Sequence, residues 1–338
     1  MKSLAICDDV PEYARRLKKC LVNKREFPFE IVIYDSLEVL MDNENNCKQD
    51  IFLIKEEILK ENWNIISEFT KGKLIVALTN ENVYENDLTK IPYVYRYQPG
   101  KIICNRILEV VSDNLLEISG IYNSDVVNNT VFIGVYSPVA KNVQEEFAFY
   151  LGKAISENKK VLYMNLNLFP IQITEELYDE NQKNITDLVF AAACSKDNFC
   201  LKMDSMKVCE ENLDYIKGVS DFADVLGIEE NDWEELMNQI EKSRKYDVVV
   251  INFEESINGF ISILNKCKRV FSIYDNDENS LEILSKYKES IKRNYEDVYE
   301  KSEFILLPED IALNRTKNLR RSNFQKFVKK VKNEMVKE

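Results

Sequence analysis

The chain has no histidine among its 338 residues, only eight glycines and seven prolines, and no apolar run long enough to cross a bilayer. Each shortage removes some chemistry. Without imidazole, the commonest general base and the commonest metal ligand are gone. Few glycines argue against a phosphate-cradling loop, because backbone N–H groups approach phosphates closely only where no Cβ stands in the way. The longest apolar runs, such as residues 248–251, fall far short of the roughly 20 residues a spanning helix needs. Near the start stand Asp8 and Asp9, where a signal peptide would carry a basic region and a long apolar core. The eight cysteines form no Cys-x-x-Cys pair and read as small core residues of a reduced compartment. A cytoplasmic location is expected, with membrane or polar association left open.

Positive charge is also short. With 45 basic against 58 acidic residues the net charge is −13, which excludes general nucleic-acid binding, since that depends on neutralising phosphates. The C-terminus is the local exception, with nine basic residues and one acid from 315 to 337.

What is present is ordinary for two α/β domains: 45% hydrophobic and 30% charged residues. Short β runs at residues 3–7, 29–34, 50–54, 73–78 and 94–97 alternate with helical stretches at 12–22, 37–41 and 102–111. That alternation predicts a doubly wound parallel sheet over residues 1–122. A polar connection with Gly120 and Asn128 as breakers follows. The strand–helix pattern then restarts over 129–338, with β runs at 130–136, 161–166, 247–252, 269–273 and 304–307 and a helix at 145–157. No internal repeat or low-complexity linker separates the halves.

The first half has the layout of a response-regulator receiver. Asp8 and Asp9 fit the paired acids that hold Mg²⁺, and Thr79 fits the phosphate-binding hydroxyl. Lys55, however, stands where the phospho-accepting aspartate belongs, and Gln98 with Pro99 replaces the later Lys-Pro pair. An amine cannot accept a phosphoryl group as a carboxylate does. Lys55 can instead place its ammonium against Asp8 and Asp9. The plainer alternative is that the two acids only cap the first helix. Either way the domain reads as a pseudoreceiver.

Residues 133–168 have the order of a P-loop unit: strand, loop, helix, strand. A working loop supplies glycines, a Lys for the β- and γ-phosphates and a Ser or Thr for Mg²⁺. Residues 137–146 contain no glycine. In the register set by Phe147, Ala148, Leu151 and Gly152, Gln144 stands at the Lys position and Glu145 at the hydroxyl position. Glu145 and Glu146 at a helix start suit the helix dipole but repel an arriving triphosphate. Lys141 as a displaced phosphate lysine is the alternative. Asn165 ends one strand, and Asn252 ends YDVVVIN where a Walker B carboxylate would bind Mg²⁺ through water.

Several stretches resemble the ParA/MinD-type proteins of Tad (Flp) pilus assembly, the TadZ/CpaE family in its clostridial form. They are EYARRL at 12–17 with FPFE at 27–30, YRYQ at 95–98, YSPV at 136–139, VLYMNL at 161–166, LDYI at 213–216, and Asp232-Trp233 with Tyr246-Asp247. The resemblance implies a receiver-like domain joined to a ParA/MinD-like P-loop NTPase domain. It also implies dimerisation, as a homodimer or with an intact homologue, and contacts with pilus assembly proteins. The chain departs from the family at the loop: Ala140, Lys141, Val143, Gln144 and Glu145, with Asn142 among them, replace the expected Gly, Gly, Gly, Lys and Thr. No catalytic residue, no metal and no nucleotide cofactor is therefore expected, although ATP with Mg²⁺ is the family's ligand. Asn165 is common in this branch, so it weighs less than the other changes.

Phe324, Phe327, Val328, Val331 and Met335 recur at helical spacing among lysines. Such a helix can lie on a membrane, or it can pack its apolar face on its own domain, which is the reading favoured. Three functions follow: a non-catalytic scaffold in pilus assembly, a divergent ATPase that still switches dimerisation, and a signalling adaptor elsewhere. The Gln144–Glu145 pair favours the first.

Overall fold

The structure, a computed structural model, describes residues 2–24, 27–42, 49–81, 91–114, 129–170, 182–219, 221–312 and 317–335; the side chains of residues 142, 310, 312 and 317–321 also fall outside the description. Gly120, Asn128, Arg315 and Lys337 of the sequence reading lie outside the described residues. The chain divides into two compact units, Met1–Asn123 with Asp197–Ser205, and Ser124–Lys196 with Met206–Glu338. Asp197–Ser205 lies within the second span of the sequence reading and clusters with the first unit.

The first unit runs β1 (Ser3–Cys7), α1 (Pro11–Asn23), β2 (Glu30–Tyr34), α2 (Leu37–Met41), β3 (Ile51–Lys55), α3 (Glu56–Glu61), α4 (Trp63–Phe69), β4 (Leu74–Thr79), β5 (Tyr93–Tyr95) and α5 (Gly100–Asn114). All five strands are parallel in the order β2-β1-β3-β4-β5. This is the flavodoxin-like order of doubly wound sheets. Pro11 opens α1 where a missing N–H costs nothing, and Ala14, Leu17 and Leu21 at helical spacing turn to the core. Leu201 packs into the same core cluster. Asn198 Nδ2 donates to the Ser112 carbonyl at 3.1 Å, and Lys202 pairs with Asp113 at 3.3 Å.

The second unit runs β6 (Val131–Val135), α6 (Lys141–Ile155), β7 (Val161–Asn165), α7 (Ile185–Cys194), α8 (Phe199–Met206, almost wholly in the first unit), β8 (Lys207–Glu210), β9 (Leu213–Ile216), α9 (Phe222–Leu226), α10 (Glu230–Ser243), β10 (Val248–Asn252), α11 (Phe260–Lys266), β11 (Arg269–Tyr274), α12 (Glu278–Asn294), α13 (Glu296–Glu300), β12 (Ser302–Leu306), α14 (Glu309–Ala312) and α15 (Lys317–Met335). Its seven strands follow the order β12-β11-β6-β10-β7-β9-β8, parallel except for β8 against β9. β10 is buried throughout. It reads VVVIN because a central strand covered on both faces needs a continuous apolar run. Each such side chain gains about 1.5–3 kcal/mol by leaving water. Gly134 keeps β6 close to its cover, for a Cβ there would meet Phe253, Cys267 and Leu264 at 3.1–3.2 Å.

The α/β class and the parallel sheets follow the predicted alternation. Three differences matter. The helix read at 145–157 is α6 and begins at Lys141, so the turn before it is short and Glu145 and Glu146 lie in its second turn. The β8–β9 hairpin was read as no strand at all, being two runs of four residues each. The basic C-terminal helix packs on α6: Phe324 and Val328 are fully buried, Val331 nearly so, and Phe327 and Met335 lie against the same cluster.

Candidate functional site

Doubly wound sheets bind ligands outside the C-terminal ends of their strands. In the second unit those ends belong to β6, β10 and β7. Asn252 and Asn165, the last residues of β10 and β7, are register partners. Their side chains therefore emerge together, and Asn252 Nδ2 donates to Asn165 Oδ1 at 2.8 Å. Gln144, one turn into α6, reaches back to the same place. Its Oε1 accepts the Ser137 N–H at 2.7 Å, and its Nε2 donates to Asn252 Oδ1 and the Phe253 carbonyl, each at 2.7 Å. Asn165 Nδ2 donates to Glu145 Oε1 at 2.7 Å, Asn167 Nδ2 to Glu145 Oε2 at 3.1 Å, and the Asn167 N–H to Asn165 Oδ1 at 3.1 Å.

Each side-chain donor nitrogen of this network has an acceptor. Gln144, Glu145, Asn165 and Asn252 are 3%, 2%, 6% and 1% exposed, so the network is out of water. Buried amides satisfied in this way are held firmly, because breaking one bond strands a polar group in low dielectric. Sequence reasoning brought Gln144, Glu145, Asn165 and Asn252 to one site, and the structure joins them by hydrogen bonds. It missed Asn167. The period-two Asn165-x-Asn167 after the strand was the available signal.

The turn is closed as well. Ser137 Oγ accepts from the N–H groups of Val139 and Ala140 at 3.2 and 2.8 Å and donates to the Ile273 carbonyl at 2.5 Å. The N–H groups of Val143 and Gln144 turn back to the Ala140 carbonyl. Ala140 and Val143 pack their side chains into the core; the Asn142 side chain lies outside the described residues. A nucleotide triphosphate with Mg²⁺ needs free backbone donors, a cation on the phosphates and a carboxylate toward the metal. Here the N–H groups of Ser137, Val139, Ala140, Val143 and Gln144 are spent on the turn and its neighbours, Gln144 and Asn252 are neutral, and the ionisable side chain in the network, Glu145, is an acid. These residues do not fit that group.

Lys141 is not free to serve as a phosphate-binding lysine. Its Nζ pairs with Glu255, lies 3.7 Å from Glu254 and sits 4.7 Å above the Tyr136 ring. Burial pushes the Glu254 carboxyl up. It acts on Glu255 too, but the Lys141 hydrogen bond brings Glu255 below its ordinary value.

In the first unit the corresponding strand ends hold charge. Asp8 is fully buried, accepts the Val10 N–H at 2.9 Å and lies 2.7 Å from Arg96 Nη2. The Arg96 guanidinium stacks on the Tyr13 ring at 4.1 Å. Burial still raises the Asp8 carboxyl above its ordinary value, with the Val10 N–H and Arg96 opposing. Lys55 Nζ pairs with Asp9 at 2.7 Å and lies 3.7 Å from Glu57. Lys55 thus bonds Asp9 directly and acts on Asp8 through its field, as expected, while the direct partner of Asp8 is Arg96, which the sequence reading did not assign. Neither aspartate is the N-cap of α1, which is Val10. Thr79 Oγ1 donates to the Glu81 carbonyl at 2.9 Å, and Gln98 Nε2 to the Tyr95 carbonyl at 2.8 Å. Gln98 is thus tied back to the end of β5, the strand before it. Among the described residues, no group of three or more Cys, Asp or Glu is placed to hold a metal ion.

No protein-family model matches the sequence, and no curated protein matches it. Among solved structures the chain is similar to a ParA family ATPase from Chlorobium tepidum, at 16% identity over 58% of this chain and 81% of that one, TM-score 0.45. It is similar to the cell division ATPase MinD of Pyrococcus furiosus, at 14% identity over 60% and 98%, TM-score 0.42. It is also similar to a plasmid partition protein from Borrelia burgdorferi bound to AMPPNP, at 14% identity over 62% and 99%, TM-score 0.41. Likeness at this level says nothing about activity.

Proposed function

We propose that this chain is a non-catalytic scaffold or localisation factor, with a pseudoreceiver over residues 1–122 and a ParA/MinD-type domain over 129–338 that no longer uses nucleotide. The observation that carries the reading is the closed network Gln144–Asn252–Asn165–Glu145, in which side chains of the protein itself take up the hydrogen bonds a nucleotide would need. The sequence motifs that resemble the TadZ/CpaE family suggest the setting: the cytoplasmic side of a Tad pilus assembly system, where the chain would act as a dimer or beside an intact homologue.

The test is genetic. Deleting the gene in its host and imaging surface pili should abolish them, and both wild type and Lys141→Ala should restore them. Unchanged pili after deletion would remove the pilus setting. Restoration by wild type alone would favour a divergent ATPase.

A further inference from the structure

The second unit carries an exposed apolar ridge that its core does not use. Phe222 and Leu226 are 48% and 43% exposed and stand four residues apart on α9, hence on one face. The Phe169 ring, 71% exposed in the turn after β7, lies 5.7 Å from the Phe222 ring. Three large side chains so placed form a continuous strip, unlike the single exposed apolar residues that any surface carries.

Its surroundings carry charge of one sign. From residue 218 to 241 the sequence has eight acids and no basic residue. Asp221, Asp224, Glu229 and Glu230 flank the strip and are exposed. Among the described residues none of these four has an ion-pair partner, whereas Glu235, farther along α10, pairs with Lys196. Glu230 is held beside Gly259, whose positive φ of 72° leaves its Cα open toward the glutamate; a Cβ there would meet Glu230 Cγ at 2.5 Å.

We infer that Phe169, Phe222 and Leu226, with the acids around them, form a docking surface for a basic amphipathic helix of a partner protein. Charge complementarity selects the occupant. Nucleic acid and anionic lipid are repelled by this surface. A second copy meeting it symmetrically would set the same acids against each other. An added β-strand would need an open strand edge, whereas the strip lies on a helix face and a turn. An amphipathic helix needs only the apolar strip, and its flanking lysines and arginines meet the acids.

The test uses the purified full-length protein and a fluorescein-labelled Leu–Lys helical peptide of roughly four turns, with a Leu–Glu peptide of the same leucine pattern as control. Anisotropy at physiological salt should show binding of the Lys peptide and none of the Glu peptide. Phe169→Ser/Phe222→Ser should weaken it at least tenfold, and so should Asp224→Lys/Glu230→Lys. Glu282→Lys/Glu289→Lys on α12 makes the same change in net charge elsewhere and should leave affinity within about twofold, since distant exposed charges are screened. Circular dichroism melts confirm that each variant is folded. Equal binding by all variants would mean diffuse attraction and would overturn the proposal, as would no binding of the Lys peptide. A wild-type dimer by sedimentation that Phe222→Ser dissociates would assign the strip to a second copy instead.

Discussion

The two units occupy their strand ends in different ways. The first keeps its acids and neutralises each with a cation from its own chain, Asp8 with Arg96 and Asp9 with Lys55. The second holds amides there, with Glu145 the one acid among Gln144, Asn165, Asn167 and Asn252. An ion-paired site remains titratable and depends on each partner, because a buried charge that loses its counter-charge is costly. An amide carries no proton that titrates near neutral pH, but its donors and acceptors must alternate without error. The two sites should therefore fail under different perturbations.

The largest effect is expected at Arg96. Arg96→Met leaves Asp8 buried without a counter-charge and should cost about 3–5 kcal/mol at pH 7 by denaturant unfolding, with Asp8→Asn in the same chain recovering most of it. The pH dependence has a fixed sign. Because burial raises the folded pKa of Asp8 above its unfolded value, the folded state binds its proton more readily. The contribution of Asp8 to stability therefore falls as pH rises through the interval between the two values. Removing Arg96 widens that interval upward, so the variant should gain more stability than wild type on acidification from pH 7 to 5. A loss unaffected by Asp8→Asn would refute the pairing.

Next comes Asn252→Asp. It removes the donor to Asn165 Oδ1 and sets two acceptors against each other, at about 1–3 kcal/mol. It should confer no ATP binding, since the Val139 and Ala140 N–H groups stay on Ser137 Oγ. Stability unchanged from wild type would mean that the network carries no weight. The smallest effect is expected at Lys55. Asp9 is half exposed, so Lys55→Ala should cost under about 1 kcal/mol and fade with added salt.

Much of this was legible in the sequence, for reasons that can be named. Parallel strands buried on both faces show as apolar runs, and the asparagines that end 161–165 and 248–252 fall together because parallel register keeps strand ends in phase. Lys55 found Asp9 because β1 and β3 are neighbours. Arg96 was missed because it lies in a tyrosine-rich segment far along the chain from Asp8, and only folding of β5 onto β4 brings the two together. The start of α6 was placed four residues late, since Ala140 offers no capping side chain and the helix has no acid in its first turn. The β8–β9 hairpin escaped because Lys207 is buried by pairing with Asp214 at 2.9 Å, so two polar residues occupy positions where a pattern reader expects apolar ones. The docking of α15 agrees with the favoured reading: Phe324 and Val328 are already in the core with Phe327 packed against it, and reaching a membrane would require removing them.

The central claim is that the second unit's strand-end crevice is filled by its own hydrogen bonds. Calorimetry of the purified full-length protein with ATP and with ADP, each with and without Mg²⁺, tests it most directly. The account predicts no binding at millimolar nucleotide. Micromolar, Mg²⁺-dependent binding would contradict it, because Gln144, Asn252 and Asn165 would then have to release one another to admit the phosphates.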